Sequence, residues 1–504
     1  MSSSFSRRRL LAGGTGLGAS LLAPRIARAH DTVLGLVEPA TPIPAMDAPL
    51  VEPEVRRPVS GMLSTTLRCG YAYRDVGGFR LYMRSYEGGS PGPTLRMKPG
   101  ETLKIRLTNG LPPNPDPAPL SVNFPHHFNT TNVHFHGLHV SPEGLADNAM
   151  RSMQPGNTYD IEFTLPKDHP AGTYWYHPHV HGSLGIQAAS GMFGALIVEG
   201  DFAGVPEIAA ARERTLVLAE VMFDERGMIE TFDRIFPQAA TRFFSVNGQR
   251  RPTITMRPGE VQRWRLVGAN HQNHMLLERE KHELNAIAWD GNQLGAIEKL
   301  KTLLMAPGQR ADVLVQAGAP GTYEFRGIAN DQGYPSPTGP VATLVVAGEP
   351  MPMKLPAALP SPPLKAIADS EITGKRTVTF SAIVPQTEAA ANWQEFKYLI
   401  DNRQWDPMRR DQRVKLGAVE EWTVVNMHTD DHVFHIHTNP FQLMQVNGQP
   451  APNLPWRDTV VVPRHGSIVM RTRFLDFTGV LMAHCHMATH EELGMMQTVE
   501  VYKE

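Results

Sequence analysis

Leu95-Arg96-Met97-Lys98-Pro99-Gly100-Glu101, running on into residues 103–107, decides the fold, because the chain repeats it. Ile254-Thr255-Met256-Arg257-Pro258-Gly259-Glu260 leads into residues 262–266. A looser copy, Val414-Lys415-Leu416-Gly417 with Glu420, leads into residues 422–425. The glycines stand at 100, 259 and 417, steps of 159 and 158 residues. A second marker keeps pace with the first. Gly172-Thr173-Tyr174, Gly321-Thr322-Tyr323 and Gly479-Val480-Leu481 each open a strand-like run. Pro155-Gly156, Pro307-Gly308 and the turn from Pro463 to Gly466 precede them, each with a further run behind it. Internal repeats of this kind point to one structural unit used three times. The runs alternate in part between apolar and polar residues, as half-buried strands do. The 43 glycines and 43 prolines supply frequent turns. The expectation is therefore all-β, with three consecutive β-sandwich domains at 71–203, 204–350 and 373–504. Residues 30–70 read as an extended N-terminal arm, and the Pro-rich stretch 351–372 as a linker.

Composition fits a folded chain of this size: 504 residues, 41% hydrophobic and 19% charged. A formal net charge of -2 gives no basic face and argues against a nucleic-acid partner. The N-terminus has the layout of an export signal over residues 1–29. Ser6-Arg7-Arg8-Arg9-Leu10-Leu11 resembles the twin-arginine motif, an apolar stretch follows, and Ala27-Arg28-Ala29 fits a cleavage site. The expectation is transit through the twin-arginine translocase to the periplasm or the exterior. No later run is long and apolar enough to span a membrane, so the mature form is expected to be membrane-free, and a monomer.

Chemistry is concentrated in histidine. Of 21 histidines, eight form four His-x-His pairs: His134/His136, His177/His179, His435/His437 and His484/His486. Side chains two apart on a strand share a face, so each pair offers two imidazoles side by side. One such pair is ordinary. Four pairs, two in the first unit, two in the last and none in the middle, are not a pattern that core packing produces.

His484-Cys485-His486-Met487-Ala488-Thr489-His490-Glu491-Glu492-Leu493-Gly494-Met495 is the most specific segment. On a strand Cys485 faces away from His484 and His486, so thiolate and flanking imidazoles serve different metals. His490 and Met495 can fold back to the cysteine side. His432, an odd step before His435, faces away from the His435/His437 pair. His432, Cys485, His490 and a weak axial Met495 make a blue-copper electron-transfer set. The remaining eight imidazoles can hold three more coppers between the first and third domains. Cys69, the other of two cysteines, reads as a small buried apolar residue.

These four segments resemble the signature segments of the multicopper oxidases, a family that includes laccases, bilirubin oxidases and bacterial cuprous oxidases. The resemblance spans nearly the whole mature chain. It implies cupredoxin-like Greek-key sandwiches and four copper ions. By it His134 and His435 would bind the type 2 copper, and His136, His177, His179, His437, His484 and His486 the type 3 pair. Thr438-Asn439-Pro440 after His437, and Asp147-Asn148, depart from the common family pattern without removing a ligand. The middle domain would be a copper-free spacer.

The implied reaction is one-electron oxidation of phenols or aromatic amines, coupled to four-electron reduction of dioxygen to water. Electrons are expected to enter at the edge of His432. Glu491 and Asp147 are candidate proton-relay carboxylates; the plainer reading of each is a solvated surface acid. His181 is expected not to be a ligand. His126, His127, His139, His169 and His465 read as surface or loop residues, and His428 with Asp430 and Asp431 as a lining of the substrate entrance. Cu(I) and bilirubin are alternative reductants. Residues 351–410 hold only Met351, Met353 and Met408, which weakens a dedicated Cu(I) role. A copper-free structural relative of the cell-division type would have lost ligands, and a nitrite reductase would need fewer histidines.

Overall fold

The computed structural model describes residues 47–115, 117, 119, 121–236, 241–385 and 392–503. The export segment and arm residues 30–46 lie outside the described residues. What is described is mostly β, arranged as three cupredoxin-like sandwiches.

The repeated segment has the same place in each sandwich. Thr94–Met97, Thr253–Met256 and Gln412–Lys415 each pair in parallel with a strand at the end of the unit: Gly194–Val198, Gly339–Val346 and Met496–Tyr502. The chain then turns at Gly100, Gly259 and Gly417, whose φ values of 85°, 79° and 92° lie in the left-handed region that favours glycine. It crosses to the second sheet as Thr102–Asn109, Val261–Gly268 and Ala418–Asn426. Each of these pairs in parallel with the strand that opens its domain and antiparallel with a later one. Gly172, Gly321 and Gly479 each begin a strand. The sequence repeat is thus a repeat of strand order. The connections that pass between the two sheets of each unit are what make it a sandwich.

The arm departs from its expected limits. Met62–Val76 is a 15-residue strand paired along Thr102–Asn109 and Phe79–Tyr86. Its alternate residues Leu63, Leu67 and Cys69 are buried, so packing claims them for the first domain. Before it, residues 47–51 lie on the middle domain, where Leu50 N–H donates to the Thr253 carbonyl at 2.9 Å, and Val55–Arg56 pair in parallel with Thr94 and Leu95 of the first. The Pro-rich stretch crosses the middle domain's surface, with Met353, Leu355 and Leu359 against its core.

Buried Cys485, Met487, Leu493 and Met495 belong to the third-domain core, along with Val433, Phe434 and Trp422. The middle domain has a separate core that includes Trp264, Leu277 and Phe325.

Candidate metal centres

Strand register puts the histidines together. His134–His136 pairs antiparallel with Gly172–His177, His134 opposite His177. In the third domain His432–Ile436 pairs antiparallel with Gly479–Cys485, which sets His435 opposite His484 and Phe434 opposite Cys485. The side-chain alternation of a strand does the rest. Cys485 points into the third-domain core, and His484 and His486 point toward the first domain.

Around Cys485 three donors converge. His432 Nδ1 and His490 Nδ1 are 3.0 Å apart, and Cys485 Sγ lies 3.6 and 3.8 Å from them. Such spacings fit a cation at about 2.0 Å from nitrogen and about 2.3 Å from sulfur. Val433 N–H points at Sγ at 3.4 Å. Burial pushes the Cys485 thiol up to about 12, so its ionisation needs a bound cation. Met495 is fully buried and tied to both neighbours: Cys485 N–H donates to its carbonyl, and its N–H donates to the carbonyl of His490, each at 3.0 Å.

A second group spans the first and third domains. His179 Nε2, His437 Nε2 and His484 Nε2 form a triangle with sides of 3.1, 3.2 and 3.3 Å. A point at its centre lies about 1.9 Å from each corner, a metal–imidazole distance. His136 Nδ1 and His486 Nε2 face each other at 3.1 Å, with His177 beside them. His134 and His435 complete the set. Nε2 of His134, His177 and His435 is buried without a partner.

The outward nitrogens are pinned. His134 Nδ1 sits 3.1 and 2.9 Å from the two oxygens of Asp147. Nδ1–H of His177 donates to the Pro178 carbonyl at 2.9 Å, and that of His435 to the Asp458 carbonyl at 2.8 Å. His136 is turned the other way, with Nε2 toward Asp458 Oδ1 at 3.2 Å and Thr459 Oγ1 at 3.0 Å. Once these nitrogens carry the protons, the inward ones present lone pairs to one another. Burial, then the neighbouring imidazoles, lowers the proton affinity of His134, His435, His437 and His486 well below the ordinary value. Neutral lone pairs at 3.1–3.3 Å repel unless a cation lies between them. The donor set therefore fits soft or borderline metal ions, copper among them.

Both candidate acids lie inside. Asp147 is 2% exposed and accepts the Phe135 N–H at 3.0 Å; burial raises its carboxyl to about 8. Glu491 is also 2% exposed, with one oxygen 2.9 Å from His484 Nδ1 and the other 3.6 Å from His179 Nδ1. Burial works to raise it, but His484 and His179 outweigh that and hold it at about 2. The solvated-surface reading of both acids fails.

His181 stands outside the group, its Nε2–H donating to Asn123 Oδ1 at 3.0 Å and its ring against Trp405. His169 is a loop residue but a buried one, because its Nε2 accepts the His139 N–H at 2.9 Å.

Several residues that orient the ligands have no spacing signal in the sequence. Asp458 and Thr459 hold His136. Arg310 of the middle domain donates to both Asp458 oxygens, one at 2.7 Å. The Gln272 amide, also from the middle domain, lies 3.2 Å from His490 Nε2. Tyr398 stacks on His490 at 4.0 Å. The middle domain contributes to no candidate ligand group among the described residues, yet it braces both centres.

Multicopper oxidase family models match residues 76–202, 220–348 and 377–504, one on each sandwich, and the chain belongs to the multicopper oxidase family. It is an oxidoreductase that uses oxygen, with copper as its cofactor. It is 25% identical to multicopper oxidase mco of Staphylococcus aureus over 83% of each chain. It is 27% identical to cell division protein FtsP of a Rahnella species, over 91% of this chain and 90% of that one. The solved structure of the multicopper oxidase of Campylobacter jejuni, a metallo-oxidase, superposes with a TM-score of 0.75 at 24% identity. That match covers 94% of this chain and 97% of that one.

Proposed function

We propose that the chain is a laccase-like oxidase that takes single electrons from phenols and aromatic amines and delivers four of them to dioxygen. Four coppers are assigned. Type 1 takes His432, Cys485, His490 and Met495. Type 2 takes His134 and His435, and the type 3 pair takes His136, His177 and His486 on one side and His179, His437 and His484 on the other. Bound copper supplies one-electron redox steps and a place for dioxygen to be reduced to water.

One observation carries the reading. Cys485 belongs to one donor cluster and its two sequence neighbours to the other, so two centres are joined through a few covalent bonds. The protein's own part is to fix imidazole tautomers, exclude water from Cys485 and place acids beside the cluster. Glu491, against His179 and His484, and Asp147, against His134, are assigned to hand on the protons that water formation consumes. Export by the twin-arginine route to the periplasm or beyond is part of the same proposal, since that route accepts folded, cofactor-loaded cargo.

The test is oxygen uptake by copper-loaded protein with phenols, aromatic amines, bilirubin and Cu(I) offered in turn. The expected result is four reducing equivalents per oxygen with the phenols, and loss of both blue colour and uptake in Cys485→Ser. A blue protein that consumes no oxygen would overturn the oxidase reading. Uptake with Cu(I) alone would transfer it to a metal-oxidising enzyme.

A further inference from the structure

The ligands around Cys485 are sealed from solvent. His432 is 0% and His490 1% exposed. Phe380, Tyr398 and His428 of the third domain pack on the His432 ring, and the middle domain adds to the seal over His490. The Gln272 amide covers His490 Nε2 and donates to the Tyr334 hydroxyl at 3.0 Å, and Thr489 Oγ1 donates back to the same amide. His274, fully buried, is held by its N–H on Gln332 Oε1 at 2.8 Å. The Gln332 carbonyl accepts the Asp431 N–H at 2.7 Å, and Gly333 lies so close to Asp430 that a Cβ there would be 2.3 Å from its carboxylate. The middle-domain loop is thus closed down on the loop that leads into His432.

His428 lies on that loop. Its ring is stacked on His432 at 5.2 Å with an interplanar angle of 23°, and it keeps 7% of its surface in solvent. Its neighbour Met427 is 64% exposed, and exposed His465 donates its N–H to the His428 carbonyl at 3.3 Å. His432 is thus covered by an imidazole that itself keeps a small exposed surface.

We infer that His428 is the point at which the reductant delivers its electron, an outer-sphere contact residue standing between substrate and His432. A small planar donor, a phenol or aromatic amine, lies against the His428 ring at the rim formed with Met427 and His465. In the step, a phenol gives up one electron and its hydroxyl proton and becomes a phenoxyl radical. The proton leaves to water at the rim. The electron would pass through the stacked rings of His428 and His432 to the copper that His432, Cys485 and His490 would hold, which would supply the one-electron acceptor. This rests on the oxidase reading above and names the residue that meets the substrate.

The test is anaerobic stopped-flow bleaching of the blue, copper-loaded protein by hydroquinone, in wild type, His428→Ala and His428→Phe. Alanine removes the ring bridge and should slow bleaching about tenfold or more, equivalent to about 1.4 kcal/mol of barrier. The blue absorption band, the reduction potential and reoxidation of the reduced enzyme by oxygen should stay as in wild type. Phenylalanine restores a ring and should recover most of the rate. If His428→Ala bleaches as fast as wild type or faster, His428 is a plug rather than a bridge and the inference is overturned. If alanine prevents copper loading, His428→Phe and His428→Gln make the same comparison, the glutamine variant expected to be slow. A wild type that never turns blue or takes up no oxygen would sink the oxidase reading instead.

Discussion

Replacing Arg310 by methionine tests how the middle domain holds the copper seam. Arg310 is fully buried. Its guanidinium donates to Asp458 Oδ1 at 2.7 Å and to the second Asp458 oxygen, to the Gly308 carbonyl at 2.9 Å and to the Thr173 carbonyl at 3.2 Å. Asp458 also receives the Thr459 hydroxyl at 2.8 Å. Burial raises the Asp458 carboxyl above the ordinary range, and Arg310 opposes that shift. Methionine fills much of the stem volume but leaves a buried carboxylate without its cation. Breaking a buried pair in this way costs about 3–5 kcal/mol. Removing both charges, in Arg310→Met with Asp458→Leu, leaves no unpaired charge from this pair, so the double variant should be more stable than the sum of the single losses by about 1–3 kcal/mol. Copper should not follow stability. Asp458 orients His136, and losing such a partner typically costs about 10–100-fold in metal affinity. Urea unfolding of the copper-free proteins, followed by tryptophan fluorescence, gives the first comparison; competition with a chelator gives the second. An Arg310→Met variant within about 1 kcal/mol of wild type, or a double variant equal to the sum of the singles, would refute the claim that this pair is coupled and load-sharing across the domains.

Gln272→Leu should leave the protein blue but shift the reduction potential of that centre, because it takes a polar amide away from His490 Nε2; unfolding should become easier by about 1–3 kcal/mol. A potential equal to wild type in spectroelectrochemical titration would count against it. Glu491→Gln keeps the volume beside His179 and His484 but removes the acid, so oxygen turnover should fall by about 100-fold or more while anaerobic bleaching stays fast; equal turnover would remove Glu491 from the proton path. Asp201 is buried with Arg265 and Arg263, which outweigh burial and hold its carboxyl well below the ordinary value. A depressed folded value stabilises the fold above the unfolded value of about 3.9 and loses that contribution as pH falls through the folded one. Unfolding midpoints should therefore drop below about pH 4, and Asp201→Asn should flatten that drop; an unchanged slope would show that other acids set it.

What the sequence made legible, and what it did not, follows from how far each constraint reaches along the chain. The sandwich repeat was readable because the strand that carries Leu95, Ile254 or Val414 must turn at a glycine into the next strand, a local event repeated three times. The ligands were readable because sharing a strand face forces a spacing of two, and opposing faces an odd offset: His432 against His435, Cys485 against His484. No such rule governs the residues that steady them. Gln272 reaches His490 across 218 residues and Arg310 reaches Asp458 across 148. A hydrogen-bond partner can come from whichever strand tertiary packing delivers, so a middle domain without ligands looked like a spacer. The same gap explains the expected electron entry at His432. Its place next to a ligand segment is written in the sequence, but its depth is set by the rings of Phe380, Tyr398 and His428 that pack on it, and that depth moves the contact with the reductant outward to His428. Burial likewise turns Asp147 and Glu491 from ambiguous acids into interior ones, set against His134 and against His179 and His484. Spacing picks out the donor atoms proposed to bind copper, while Gln272 and Arg310, from the domain that supplies no candidate ligand, steady two of the groups that hold them.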